Sequence, residues 1–132
     1  FGEADIKRAG KDITVFAYSN MVLKSLEAAE ELKRDGIDCE VVDPRTLVPL
    51  DIDAIMNSVK KTGRLVIVSE ACRRGSVASD ISAQVTEKAF EYLKAPVKIV
   101  AGLDTPVPYN STLEQASIPQ KADIVKAVKN LL

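Results

Sequence analysis

The sequence predicts an α/β fold with a mostly parallel sheet. Strand-like and helix-like segments alternate along the chain, which is typical of strands joined by right-handed helical crossovers. The run LVIV at residues 65–68 is apolar at every position, as expected for a strand that is covered on both faces. The chain has 132 residues, 46% of them hydrophobic, which is enough for one core. We therefore expect residues 1–132 to form a single domain.

Short apolar segments rich in β-branched residues mark the strands. The predicted strands are residues 4–8 at an edge, 13–18, 39–42, 65–68 and 97–100. Between the third and fourth of these lies the stretch DPRTLVPLD at residues 43–51. Its two prolines, Pro44 and Pro49, exclude a helix and predict a stiff, shaped connection.

Helices are predicted where apolar residues recur with helical spacing between a capping residue and a stop signal. The predicted helices run from Ser19 or Asn20 to Gly36, from Asp51 to Gly63, from Ser76 to Pro96 and, after a short turn near residues 111–115, from Gln120 to the end of the chain. In the third helix the apolar face is expected to extend to Tyr92. Gln120 is a weaker N-cap than expected at the start of the last helix.

Composition excludes several classes of function. Lys plus Arg number 18 and Asp plus Glu 19, so the net charge is -1 and predicts no surface for nucleic acid or an anionic membrane. No apolar run approaches the roughly 20 residues that span a bilayer. The absence of histidine excludes Ser–His and Cys–His nucleophile pairs and the commonest metal ligand.

The two cysteines, Cys39 and Cys72, are far apart and show no metal-binding spacing. We expect two reduced thiols in a cytoplasmic protein, with a disulfide or a redox pair as the alternative. Cys72 is expected in the turn after the central strand. Because Phe1 is not the product of a start codon, the chain is expected to be a piece of a longer or processed protein.

The working edge of the domain is predicted just after residues 65–68, where Ser69–Gly75 are polar and charged. In an open α/β sheet, ligands and partners bind at the carboxyl ends of the strands. Glu70 has two open roles there: an acid, base or ligand contact, or a carboxylate that pairs with a nearby arginine or caps the next helix. Arg45 is interpreted as a structural or interface cation rather than a substrate clamp.

No glycine-rich nucleotide motif follows the first core strand, so a nucleotide site is not expected. Ser69 has no histidine to activate it as a nucleophile. The proline-stiffened segments should instead place an apolar patch with a polar rim at the working edge. The predicted apolar residues are Leu47, Val48, Leu50, Val107 and Tyr109, and the predicted rim is Arg45, Glu70 and Asp104. The residues therefore indicate a domain that supports chemistry carried out elsewhere.

Three motifs in order resemble one family: DPRTLVPLD (43–51), VSEACRRGSVASDIS (68–82) and DTPVPYNSTLEQASIP (104–119). They are similar to the carboxy-terminal domain of the beta subunit of thiamine-diphosphate-dependent dehydrogenase first components, the group of pyruvate, branched-chain 2-oxoacid and acetoin dehydrogenases. Pyruvate and branched-chain enzymes tend to carry a glycine pair and an aromatic residue after the position of Glu70. The basic Arg73 and the small residues that follow look more like the acetoin enzymes.

The resemblance implies a three-layer α/β/α domain with a five-stranded, mostly parallel sheet and residues 4–8 as its antiparallel edge strand. It also implies that thiamine diphosphate and Mg²⁺ belong to the full enzyme and are not bound by this domain alone. They would lie between the alpha subunit and the amino-terminal domain of the beta subunit. The activating glutamate belongs to that amino-terminal domain, so it is not Glu70. No catalytic, cofactor or metal residue is expected in this chain.

The implied role is assembly and support within the full oxidoreductase, and the isolated domain is expected to be inactive. The implied partners are the alpha subunit, a second beta subunit and the lipoyl acyltransferase core. A homodimer of this chain through the working edge is also predicted. The candidate interface residues are Arg45, Glu70, Arg73, Arg74, Asp104 and Tyr109.

Three alternatives stay open from the sequence. The first is a pyruvate or branched-chain enzyme in place of an acetoin enzyme. The second is a free-standing flavodoxin-like binding module, which would have a ligand pocket at the strand switch point. The third is the last domain of a transketolase or a deoxyxylulose-phosphate synthase, which fits the proline motifs less well.

Overall fold

A computed structural model describes residues 2–104 and 110–132. In this part of the chain, five strands and five helices follow the predicted alternation. The elements are β1 Asp5–Arg8, β2 Ile13–Ala17, α1 Asn20–Arg34, β3 Cys39–Asp43, α2 Ile52–Thr62, β4 Leu65–Cys72, α3 Val77–Ala89, β5 Lys98–Gly102, α4 Ser111–Ser117 and α5 Lys121–Leu131. None of the described helices is long and apolar enough to cross a membrane.

The five strands form one sheet in the order β1-β3-β2-β4-β5. β2, β3, β4 and β5 are parallel, and β1 pairs antiparallel with β3, with Asp5 opposite Asp43. One face of the sheet packs against α1 and α5, and the other packs against α2 and α3. The predicted three-layer α/β fold with one antiparallel edge strand is therefore confirmed.

Local sequence signals explain α2 well. The Asp51 carboxylate accepts the N–H of Ala54 at 3.1 Å, and Gly63 ends the helix with a left-handed φ of 78°. The second carboxylate oxygen of Asp51 accepts the N–H of Ala4 at 2.9 Å. One predicted cap therefore starts the helix and also holds the residues that lead into β1.

The cap predicted for α1 is only half correct. Ser19 occupies the N-cap position, but its hydroxyl makes no capping hydrogen bond. Its φ of 59° and ψ of -140° differ from the extended conformation that lets a capping side chain turn back onto the helix. α1 begins at Asn20 without a side-chain cap.

The third predicted helix is too long. α3 ends at Ala89 and tightens into a 3-10 turn over Phe90–Tyr92, because the chain then turns so that Lys94 donates its N–H to the Gly63 carbonyl at 2.7 Å. Tyr92 is therefore not part of the buried helical face. Tyr92 is 41% exposed, and the centroid of its ring lies 5.4 Å from the Lys60 ammonium.

The end of the chain also differs from the prediction. The turn expected near residues 111–115 is a helix, α4, in which Asn110 Oδ1 accepts the N–H groups of Thr112 and Leu113. At the start of α5, the Asp123 carboxylate accepts the N–H of Gln120 at 2.8 Å. The Asp123 side chain, one turn into the helix, thus satisfies the backbone N–H of Gln120 at the position where a poor cap is expected.

A buried polar network was missed by sequence reasoning. Glu40, the second residue of β3, is 3% exposed and accepts hydrogen bonds from Ser58 Oγ at 2.6 Å and from the Gly10 N–H at 3.3 Å. The Lys61 ammonium pairs with the same carboxylate. Thr14 hydrogen bonds to Ser58 at 2.6 Å. Burial tends to raise the pKa of Glu40, but the hydrogen bonds from Lys61, Ser58 and Gly10 outweigh it and lower the pKa.

Gly10 lies where the turn before β2 meets β3. An added Cβ would come well under 3.0 Å from the backbone of Cys39 and Glu40, closer than real Cβ atoms approach. Only glycine therefore lets the turn approach β3 closely enough for the Gly10 N–H to reach Glu40.

Two buried serines provide a matched test of how hydrogen bonding affects stability. Ser25 in α1 is 1% exposed and its hydroxyl has no partner among the described residues, whereas Ser58 in α2 is 3% exposed and bonds to Thr14 and Glu40. We expect Ser25→Ala to raise the free energy of unfolding by about 1 kcal/mol, and Ser58→Ala to lower it by about 1–2 kcal/mol. Urea unfolding of both variants measures this, and changes of the same sign would contradict it.

Candidate interaction site at the carboxyl edge of the sheet

The carboxyl ends of the four parallel strands lie along one edge of the sheet, which we call the carboxyl edge. It is formed by the residues that end β2, β3, β4 and β5 and the connections that follow them. The predicted site residues Arg45, Glu70, Arg73, Arg74 and Asp104 all lie at this edge. Tyr109 and Val107 lie outside the described residues.

β4 is longer than predicted and carries part of the site itself. It runs to Cys72, with a register shift against β5 between Val68 and Cys72. Gly102 on β5 makes this possible, because a Cβ there would lie well under 3.0 Å from the Glu70 carbonyl oxygen. Residues 69–72 are therefore an irregular strand end held by close backbone contact, not a free turn.

Ser69 holds this strand end to β2. It is fully buried, and its hydroxyl lies 2.8 Å from the Tyr18 hydroxyl and accepts the Ala71 N–H at 3.2 Å. The Tyr18 ring also packs edge-on against Phe16, with centroids 6.1 Å apart. These contacts give Ser69 a structural role between β2 and β4.

Glu70 makes neither of the structural contacts suggested for it. α3 is capped by Ser76, whose hydroxyl accepts the Ser79 N–H at 3.2 Å, and within the described residues no ion pair involves Glu70. The exposed Glu70 side chain lines an open cavity of about 330 Å³ against the start of α1. The other lining residues are Asn20, Leu23, Lys24, Glu27 and Ile118. This cavity borders the switch point between β2 and β4.

Arg73, Arg74 and Asp104 do come together. Arg74 pairs with Asp104 at 3.7 Å, with both side chains mostly exposed, and all three residues line a cavity of about 360 Å³ with Ser79 and Gly102. The Arg73 carbonyl accepts the Ser76 hydroxyl at 2.8 Å and also the Ser79 hydroxyl. The turn that carries the two arginines is thus attached to the first turn of α3.

Arg45 lies apart from this group. β3 and β5 are three strand positions apart, about 14 Å at the usual spacing of about 4.8 Å. Arg45 has a φ of 62°, donates its N–H to Asp43 Oδ1 at 2.8 Å and pairs with Asp5 at 3.5 Å. The hydrogen bond from Lys7 is the largest cause that lowers the pKa of Asp5, and Arg45 contributes less. The predicted site residues therefore do not form one group: Arg73, Arg74 and Asp104 lie together, whereas Glu70 and Arg45 each lie apart from them.

Apolar side chains are exposed at the carboxyl edge. Val48, which was predicted in the patch, is 89% exposed, whereas Leu50 packs against the core. Sequence reasoning missed Leu23 in the first turn of α1 and Leu103 after β5, which are 64% and 58% exposed. None of the buried residues of α1 lies three or four positions from Leu23. This spacing was the only signal in the sequence that Leu23 is exposed. An apolar surface with charged neighbours is typical of a binding surface rather than a catalytic centre.

The described residues include no group of three or more Asp, Glu, Cys or His side chains able to hold a metal. Both cysteines are free, as predicted, and burial raises the pKa of Cys39 to about 11. Cys72 ends β4 rather than lying in a turn. The chemistry available at the carboxyl edge is that of recognition by arginines, carboxylates and apolar side chains.

The fold is an α/β domain with a mostly parallel sheet, and the carboxyl edge of that sheet carries exposed apolar and charged side chains. A sequence profile described as "Transketolase, C-terminal domain" matches residues 2–124, so the chain belongs to the transketolase C-terminal domain family.

Known proteins are similar over the whole chain. The acetoin:2,6-dichlorophenolindophenol oxidoreductase subunit beta of Cupriavidus necator is 49% identical over 132 residues, which are 100% of this chain and 39% of that protein. The pyruvate dehydrogenase E1 component subunit beta of Rickettsia felis is 46% identical over 131 residues, 99% of this chain and 40% of that protein. A solved structure named "Split gene transketolase, inactive beta4 tetramer" has a TM-score of 0.85 at 30% identity, covering 99% of this chain and 41% of that one. The chain therefore spans about two fifths of the length of these relatives.

Proposed function

We propose that this chain is the assembly and support domain of the beta subunit of a thiamine-diphosphate-dependent acetoin dehydrogenase first component. The full enzyme would cleave its substrate and pass the acyl group to a lipoyl acyltransferase. The observation that supports this proposal is the 49% identity with an acetoin oxidoreductase subunit beta over all 132 residues. A pyruvate or branched-chain 2-oxoacid enzyme is the alternative, since a pyruvate dehydrogenase subunit beta is 46% identical.

In this proposal the carboxyl edge contacts other subunits: the alpha subunit, a second beta subunit and the acyltransferase core. Support comes from the exposed apolar and basic side chains at this edge, which are Val48, Leu23, Leu103, Arg73 and Arg74. Exposed apolar surface marks interaction sites, and arginine is enriched among the residues that dominate binding energy at protein interfaces. A homodimer of this chain through the same edge stays a prediction.

The assembly role is tested by reversing both arginines, with Arg73→Glu and Arg74→Glu in one full-length beta subunit. Arg74 is 87% exposed and its pairing with Asp104 is a surface contact, so we expect the melting temperature to stay close to the wild-type value. Charges that lose a partner inside an interface cost about 2–5 kcal/mol, so the dissociation constant for the alpha subunit or the second beta chain should rise at least about 30-fold.

A second variant for comparison is Arg45→Glu, which reverses a charge elsewhere on the carboxyl edge, near Asp5. Sedimentation and surface binding with the purified alpha subunit give the affinities. If the double variant assembles with unchanged affinity, the two arginines belong to a solvated turn. The comparison with Arg45→Glu shows whether both groups at the edge lie in the interface.

The cofactor proposal is tested on the 132-residue chain alone. We expect no increase in melting temperature with thiamine diphosphate and Mg²⁺, because the described residues have neither a diphosphate loop nor a metal-binding cluster. A ligand at about 100 times its dissociation constant would stabilise the fold by about 2.7 kcal/mol. For a domain of this size that is a shift of several degrees. A clear shift would favour the binding-module alternative, with the cavity beside Glu70 as its site.

A further inference from the structure

The two edges of the sheet are protected very differently. β1 has charged residues at three of its four positions, Asp5, Lys7 and Arg8, and a register shift between Ile6 and Arg8. Charges and irregular pairing are the usual devices that keep an edge strand from pairing with another chain. β5, at the opposite edge, has one charge at its first residue, Lys98, followed by four half-buried residues. The register shift in its pairing with β4 adds residues on β4, between Val68 and Cys72, and not on β5. The edge at β5 therefore lacks the charges that protect the edge at β1.

Among the described residues, β5 also has backbone groups without a strand partner along this edge. Its strand partner among the described residues is β4 alone. The N–H of Leu103 points away from β4 and donates to the Ser117 carbonyl at 2.8 Å. Since N–H groups two residues apart in a strand point the same way, those of Ala101 and Ile99 face the open edge.

Two grooves lie near this edge: one, on the α5 side, is lined by β5 itself, and the other, on the α3 side, by the residues that lead into β5. The groove on the α5 side has a volume of about 380 Å³, and the groove on the α3 side about 470 Å³. Apolar residues in the first include Val100, Ile118 and Ala127, and those in the second include Phe90, Leu93 and Val97. Side chains of a paired strand alternate between the two faces of a sheet, so a strand added at β5 would place successive side chains in the two grooves.

The charges around the grooves indicate the chemistry of the occupant. Lys98 and Lys126 line the groove on the α5 side together with Asp123, and Lys94 lines the other groove. These lysines are exposed and outnumber the carboxylate. A second copy of the chain would bring two sets of these lysines together, which is unfavourable. Carboxylates on a strand from another protein would complement them.

We propose that β5 is a docking strand, which binds an extended segment of another polypeptide as a sixth strand of the sheet. The segment carries apolar side chains in its middle, alternately directed into the two grooves, and carboxylates near its ends, close to Lys94, Lys98 and Lys126. Backbone hydrogen bonds to Ile99 and Ala101 provide the pairing, and the lysines select acidic segments. This surface is separate from the arginine turn at the carboxyl edge and does not depend on the proposed enzyme.

Two peptides of matched length test this proposal on the 132-residue chain. The probe is acetyl-Glu-Val-Thr-Val-Glu-amide, and its control is acetyl-Lys-Val-Thr-Val-Lys-amide. We expect the acidic peptide to slow amide hydrogen exchange at Ile99 and Ala101, by about tenfold at about ten times its dissociation constant. Amides of β1 should be unaffected, and the basic peptide should give no protection.

A variant of the strand itself completes the test. Ala101→Pro removes an outward N–H and leaves the bonds to β4 in place, so the fold should persist and binding of the acidic peptide should be lost. Circular dichroism checks the fold of this variant. The proposal is overturned if the acidic peptide gives no protection at millimolar concentration, or if both peptides protect equally. Protection that rises with protein concentration in the absence of peptide would also overturn it, because the occupant would then be a second copy.

Discussion

Replacing Gly10 by alanine is expected to lower the free energy of unfolding by at least about 3 kcal/mol. The added methyl group would fall within the backbone of Cys39 and Glu40, and a backbone cannot move aside as a flexible side chain can. Either the turn before β2 shifts away from β3, or β3 itself moves. Both movements break the hydrogen bond from the Gly10 N–H to Glu40. Chemical denaturation followed by circular dichroism measures the loss.

Gly36→Ala is the matched control for this substitution. Gly36 has a φ of 83° and no neighbouring atom within 4 Å of a built Cβ. Alanine there is strained in the backbone but meets no steric contact, and we expect a loss of only about 1–2 kcal/mol. Gly10 is not among the glycines with positive φ, so equal losses in the two variants would show that the close approach at position 10 is relieved by small shifts of the turn.

The second large effect is expected at the ion pair between Lys61 and the buried Glu40. Lys61→Met would leave the Glu40 carboxylate, which is 4% exposed, without its cation. Removing one partner of a fully buried pair costs about 3–5 kcal/mol. Because the Lys61 side chain is 50% exposed and water can reach the site, we expect a smaller loss of about 2 kcal/mol.

A double-mutant cycle isolates the interaction between these two side chains. Glu40→Gln alone removes the charge but places an amide beside Lys61, and the two substitutions together remove both charges. We expect the double variant to be more stable than the sum of the two single losses predicts, by about 1–2 kcal/mol. If the two single losses in free energy of unfolding add up to the loss in the double variant, the interaction between Lys61 and Glu40 contributes nothing to stability.

The pH dependence of stability provides an independent measure of Glu40. Its pKa is lower in the folded state, so the group contributes stability above the unfolded pKa of about 4.3 and loses that contribution as pH falls through the folded pKa. Glu40→Gln cannot titrate. The difference in free energy of unfolding between wild type and Glu40→Gln should therefore shrink below about pH 4. A difference that stays constant from neutral to acidic pH would show that Glu40 does not stabilise the fold through its charge.

The parts of this fold that were predictable from sequence have local causes. α2 is one example, because Asp51 and Gly63 mark its two ends and both act as caps in the structure. The parallel strands are another, because an unbroken apolar run such as Leu65–Val68 is accommodated only between two layers of helices. The antiparallel position of β1 came from the resemblance to a known family, since four mixed residues carry no directional signal.

The parts that were missed depend on residues distant in sequence. β4 extends to Cys72 because Gly102, thirty residues later, allows close backbone approach. Glu40 in an apolar strand looks unfavourable until Lys61 and Ser58 are placed beside it by the packing of α2. For the same reason, Arg45 could be assigned to the carboxyl edge from the sequence, but its pairing with Asp5 could not.

The antiparallel direction of β1 determines where a domain fused ahead of this chain would be attached. Because β1 runs opposite to β3, its first residue, Asp5, lies beside Asp43 at the carboxyl edge, and the Asp51 side chain holds Ala4 there. The last turn of α5 lies at the opposite ends of the parallel strands, their amino ends. There Arg64, just before β4, donates its Nε–H to the Leu131 carbonyl at 3.1 Å. A domain fused ahead of residue 2 would therefore meet the proposed binding surface at the millimolar effective concentration that a short tether provides, whereas one fused after residue 132 would start at the opposite ends of the strands. If the proposed subunit contacts form at the carboxyl edge, affinity tags placed at the two ends should interfere with them to very different degrees.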